Sequence, residues 1–208
     1  MIEGLRMSEL TVEQKDILGE IANISMGNSA TNLSMMVNQP VNITTPGVSI
    51  INRSEALDDY ANTCIFVQIH YVKGLDGNNV FILQQPDVIA ITDLMMGGPG
   101  DNQGEVNEMH LSAISEAMNQ MMGAAATSLA TLLDRMVDIS PPEVCKIDVD
   151  SVKVFEKIFA NSNELFVKVA FTIDIGDLIH STMVQLYPIS FALEMVDKFS
   201  IKKKAGQI

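Results

Sequence analysis

A chain of 208 residues is long enough for one large domain or two small ones, with a real hydrophobic core. Its 26 acidic residues outnumber 13 basic ones, and the net charge of −13 argues against nucleic acid or an anionic membrane as the main partner. No stretch approaches the ~20 apolar residues of a membrane span, and "MIEGLRMSEL" is too polar for a secretory signal, so a cytoplasmic protein that meets a basic patch on another protein is expected.

Apolar residues make up 47% of the chain and aromatics 5%, without Trp, so the core must be aliphatic, with the fourteen Met as filler. Cys64 and Cys145 lack a C-x-x-C partner and read as two buried, reduced thiols. His70, His110 and His180 are scattered without ligand spacing, and no metal site is expected.

In chain order, residues 1–10 read as a leader that a cloning vector could supply. Residues 11–24 have helical apolar spacing, with Thr11 as N-cap and Gln14 three residues on. Gly27 predicts a helix break, followed by a second short helix from about Ser29 to Val37. "VNITTPGVSII" alternates and is β-branched, a strand. "TCIFVQIHYV" and "NVFILQQ" are two more, joined through the hairpin signal "KGLDGN". "PDVIAITDLMMGG" reads as a helix with Pro at its first position and Gly at its end. After the Gly-rich linker "GGPGDNQGEVNE", helices are predicted near 109–122 and 124–136, and strands near 145–155, 164–175 and 179–187. A helix from Pro188 to about Phe199 closes the domain, and residues 201–208 form a solvated basic tail.

The second half repeats the first. A shift of 96 residues lays Glu20 on Glu116, Asn23 on Asn119, Met26 on Met122 and Gly27 on Gly123; Ala30, Thr31, Leu33, Val41, Ile43 and Pro46 also recur. That is about ten identities in a window of about thirty, where chance gives about two. The expected fold is α+β, a single domain over residues 11–200 made of repeats 11–98 and 108–200, with helices packed on one shared antiparallel sheet and pseudo-twofold symmetry.

On a helical wheel Asp16, Glu20 and Asn23 fall within an arc of about 60°, and Ser112, Glu116 and Asn119 hold the same places in the second copy. Ile17, Leu18, Ile21, Ile24 and Ser25 lie toward the buried side of the first helix, and Ile114, Ala117, Met118 and Met121 toward that of the second. Asn is a mediocre residue for a helix interior, so two retained copies suggest that the amide is used. A carboxamide both donates to and accepts from one water, and a carboxylate pairs with a partner's Lys or Arg. Phosphoryl transfer needs mainly in-line placement and charge neutralisation, so such a pair could aim water at a labile group carried by a partner.

These residues resemble the signature of the CheC/CheX/FliY phosphatases of bacterial chemotaxis: Asp or Ser, three residues, Glu, two residues, Asn, then twenty-two residues and Pro. Asp16, Glu20, Asn23 and Pro46 match it once, and Ser112, Glu116, Asn119 and Pro142 again. "NISMGNSATNLSMMVNQPVNITTP", "HLSAISEAMNQMMGAAATSLATLL" and "VQLYP" are similar to the central domain of the FliY branch.

The resemblance implies a phosphatase of phosphorylated CheY at the flagellar switch, the C-ring on the inner face of the membrane. Asn23 and Asn119 would orient the hydrolytic water at two equivalent sites, and Glu20 and Glu116 would contact a CheY lysine. Pro46 and Pro142 would shape the loop behind each active helix; Asp16 and Ser112 would support the Glu or touch the partner. No cofactor of its own is implied, the Mg²⁺ coming with bound CheY, and the switch proteins FliM, FliN and FliG are implied partners. The chain reads as a central domain without the CheY-binding peptide and FliN-like domain of longer relatives. The alternatives are a non-catalytic switch or CheY-binding module, or a stand-alone CheC regulated by CheD.

Overall fold

The computed structural model of the chain describes residues 10–52, 55, 64–101, 103–146 and 165–204. Its elements run α1 (Val12–Val37), β1 (Val41–Asn52), β2 (Cys64–Lys73), β3 (Gly77–Gln84), α2 (Gln85–Met95), α3 (Glu108–Leu133), β4 (Asp138–Ile139), β5 (Glu143–Lys146), β6 (Leu165–Ile175), β7 (Ile179–Pro188) and α4 (Ile189–Lys204).

The repeat shows first in how α1 and α3 begin and end. Thr11 Oγ1 accepts the Gln14 N–H at 3.1 Å, and the Gln14 side chain accepts the Thr11 N–H at 2.8 Å. Ninety-six residues on, Asn107 Oδ1 accepts the N–H groups of Met109 and His110, and His110 Nδ1 accepts the Asn107 N–H at 3.1 Å. Both boxes satisfy donors that a helix start otherwise leaves orphaned. At the other end Asn38 and Asp134, equivalent in the repeat, both adopt the left-handed conformation at φ 51°. Asn107→Ala is expected to cost about 1 kcal/mol in a urea unfolding experiment; an unchanged midpoint would mean that the cap is dispensable.

The seven described strands form one antiparallel sheet in the order β1-β6-β7-β3-β2-β4, with β5 pairing β2 beside β4. The hairpins β2–β3 and β6–β7 meet at the centre, where Val80 faces Leu186 and Ile82 faces Val184. Each half's first strand then crosses to the other half: β1 lies along β6, and β4 and β5 lie along β2. The pseudo-twofold therefore passes between β3 and β7, and the outer strand of each repeat closes the hairpin of its mate.

Strand alternation sorts the side chains. Ile65, Val67, Ile69, Phe81, Val167, Val169, Phe171 and Ile173 join the buried faces of the helices in the main core. Cys64, Phe66, Val80, Ile82, Phe166, Val184 and Leu186 form a second cluster on the opposite face. Phe191 of α4 stacks in the main core between Tyr71 and Tyr187, at ring distances of 5.2 and 5.7 Å. Burial pushes the Tyr71 hydroxyl up to about 12, so this phenol stays neutral in the core.

Several sequence expectations change. Gly27 and Gly123 do not end helices; α1 and α3 run on as single 26-residue helices. The two helices pack together just there: Asn28 donates to Ser128 Oγ, Ser29 Oγ to the Met121 carbonyl, and Asn32 to the Gln120 carbonyl. Those contacts outweigh the roughly 1 kcal/mol that a mid-helix glycine costs. The closing helix reaches Lys204, so residues 201–204 are helical rather than part of a loose tail. Cys64 is buried but Cys145 only partly so. Met26, Met118, Met121, Met122, Met183 and Met195 fill core, whereas Met35, Met96, Met109 and Met136 are exposed. The strand predicted near 145–155 is described only as far as Lys146; its remainder, the leader before Leu10 and residues 205–208 lie outside the described residues. No helix among the described residues is long and apolar enough to cross a membrane.

Candidate active site

The buried residues of α1, Ile17, Leu18, Ile21, Ala22 and Ser25, set the rotation of the helix and leave Asp16, Glu20 and Asn23 exposed. Ile24 departs from its predicted place. It is 40% exposed, because a residue four after Glu20 shares the Glu20 face. In α3 Ile114, Ala117, Met118 and Met121 are buried, and Ser112, Glu116 and Asn119 are exposed.

Opposite the first trio, β1 contains a bulge. Ile43 pairs with Ile173 and Gly47 with Ala170, so four steps on β1 face three on β6. Thr45 and Pro46 lie in that bulge. Proline has no N–H to lose there, and the Thr45 N–H, outside the ladder, donates instead to Asn23 Oδ1 at 3.0 Å. The second repeat carries the same irregularity: Ile139 pairs with Tyr71 and Glu143 with Gln68, again four steps against three, with Pro141 and Pro142 between.

An open groove of about 670 Å³ runs between α1 and β1. Asp16, Glu20 and Asn23 form one wall, Thr45, Gly47 and Val48 the other, and Val12 and Ile24 supply an apolar rim. The second motif belongs to α3, which packs beside β4 and β5 at the other end of the strand order. There the Gln120 amide donates to Glu116 Oε1 at 2.8 Å. Gln120 holds the repeat position of Ile24, which has no amide to offer.

The groove can position but not attack. Asn23 is neither acid nor base; its Oδ1 has one lone pair taken by Thr45 and one left for a water proton, and its Nδ2 carries two donors. Glu20 and Asp16 bring carboxylates to meet a partner's cation. His70, His110 and His180 serve locally, near Asn78, capping α3 and bonded to Asp174. Among the described residues no group of three or more His, Cys, Asp or Glu could hold a metal ion. Sequence reasoning missed the Thr45 N–H and the Gln120–Glu116 bond. The first is a main-chain donor with no residue signature beyond the Pro that follows it; the second was legible as an i, i+4 amide–carboxylate pair.

A duplicated α+β fold with a carboxylate–carboxamide pair on each long helix defines a class. The sequence profile of the CheC-like family matches residues 13–50 and 109–145, the windows that hold the two motifs. The crystal structure of Thermotoga maritima FliY is 39% identical and superposes with a TM-score of 0.87, over 93% of this chain and 98% of that one. The chain belongs to the CheC-like family. Within that family it is 42% identical over 202 residues to the flagellar motor switch phosphatase FliY of Bacillus subtilis, covering 97% of this chain and 53% of that protein. It is 27% identical over 137 residues to the CheY-P phosphatase CheC of the same organism, covering 64% of this chain and 66% of that protein. The chain thus spans about half the length of the B. subtilis FliY that it matches.

Proposed function

We propose that this chain hydrolyses the aspartyl phosphate of phosphorylated CheY, as a CheC-like domain of two repeats at the flagellar motor switch. The observation that carries the reading is an outward-facing amide, Asn23, fixed through its oxygen by the Thr45 N–H, one turn from Glu20 in an open groove. CheY docks with a lysine against Glu20 or Glu116. The Asn amide holds a water in line with the phosphorus. A new P–O bond forms from that water as the acyl P–O bond breaks; the CheY aspartate leaves as carboxylate and the water's proton goes with the inorganic phosphate. CheY brings the Mg²⁺ that neutralises the developing charge, so the chain need supply only placement. The similarity to the CheY-P phosphatase CheC supports the substrate and that to the flagellar motor switch phosphatase FliY supports the location; FliM, FliN and FliG are the partners proposed there.

The test is the decay of phosphorylated CheY with the chain at one-tenth of its concentration. Expected is multiple turnover that consumes the whole pool well before spontaneous decay does. Binding of phosphorylated CheY without acceleration would leave a non-catalytic switch module instead.

A further inference from the structure

The repeat differs where the Asn is held. Thr45, whose N–H donates to Asn23 Oδ1, corresponds to Pro141, which has no N–H. The bulge that frees a main-chain donor beneath the first amide therefore frees none beneath the second, although its register is the same. Among the described residues Asn119 has no equivalent anchor.

We infer that the two sites are unequal, with Asn23 carrying most of the turnover because the Thr45 main-chain N–H sets its amide before the partner arrives. This rests on the phosphatase reading above. A pre-set side chain loses less rotamer freedom when the complex forms, and one such restraint changes a rate by about three- to tenfold. Thr45 is thus a positioning residue, acting through its backbone, and Pro141 is the substitution that weakens the second site.

The experiment measures kcat and KM for phosphorylated CheY with Asn23→Ala, Asn119→Ala, the double variant, and Asn23→Ala combined with Pro141→Thr. Expected is that Asn119→Ala keeps most of the wild-type kcat, while Asn23→Ala keeps about a third or less. Adding Pro141→Thr, which restores an N–H at the bulge, raises the residual kcat about threefold or more without moving KM. Equal single variants, or no gain in kcat from a folded Pro141→Thr protein, overturn the inference while a dead double variant keeps the phosphatase reading. If the double variant turns over like wild type, the phosphatase reading itself falls. If circular dichroism shows that Pro141→Thr unfolds the chain, the comparison of the two single variants, both surface changes, decides alone.

Discussion

Removing both amides, in Asn23→Ala combined with Asn119→Ala, is expected to lower the catalysed decay of phosphorylated CheY by at least about a hundredfold. Losing a single positioned group in a phosphoryl- or acyl-transfer site costs on the order of 10²–10³ in rate, and here the chain offers positioning and little else. The fold should not suffer. Both residues are exposed on helices whose buried faces are Ile17, Leu18 and Ile21 in α1 and Ile114, Ala117 and Met118 in α3. Affinity for phosphorylated CheY should change little, because the proposed docking contacts are made by Glu20 and Glu116 rather than by the amides. A double variant with wild-type turnover, or one whose loss tracks a loss of binding, would remove the amide from the chemistry.

The largest effect on stability is expected at Gly74, in the turn between β2 and β3. Its φ is +80°, and a Cβ built there would lie 2.1 Å from the Met136 carbonyl oxygen. The Gly74 carbonyl also accepts from Lys198 Nζ at 3.1 Å and Arg135 Nη1 at 3.4 Å. The turn is thus wedged between the end of α3 and the closing helix, and it cannot retreat without breaking contacts between the two halves. Gly74→Ala adds a left-handed penalty of about 1 kcal/mol to an overlap with main chain that no rotamer relieves, for a total of about 3 kcal/mol or more. Gly97 makes the natural control: φ is +83° but nothing lies within 4 Å of its added Cβ. Gly97→Ala should cost only the conformational part, about 1 kcal/mol. Urea unfolding of both variants checks the comparison, and equal midpoints would contradict it.

Much of this was legible because the signals are local. Thr11 and Gln14 mark the start of α1 by chemistry that acts within one turn, and the wheel positions of Asp16, Glu20 and Asn23 follow from the apolar residues beside them. The helix break expected at Gly27 fails for the opposite reason. Asn28, Ser29 and Asn32 bond to α3 residues 88 to 100 positions away, and no local reading contains that packing. The exchange of outer strands between repeats is equally non-local, since Val41 finds Ile175 and Gln68 finds Glu143 only when the halves assemble. Ile24 sits on the Glu20 face, as its spacing from Glu20 requires, rather than on the buried side where it was expected, and the Gln120–Glu116 bond is an i, i+4 pair that the sequence alone displays. The Thr45 anchor is a main-chain group exposed by a bulge, and its only trace in the sequence is the proline after it.

The central claim is that the exposed amide of Asn23 meets a phosphoryl group on a docked partner. Its most direct test is the side-chain NH₂ signals of Asn23 and Asn119, assigned by substitution and followed by NMR as CheY activated with beryllofluoride is added. The expected result is a saturable shift or broadening of these signals, at the same concentrations that give binding, with Asn23 the more affected. Saturated binding with both amides unmoved would place the partner elsewhere on the chain and contradict the mechanism.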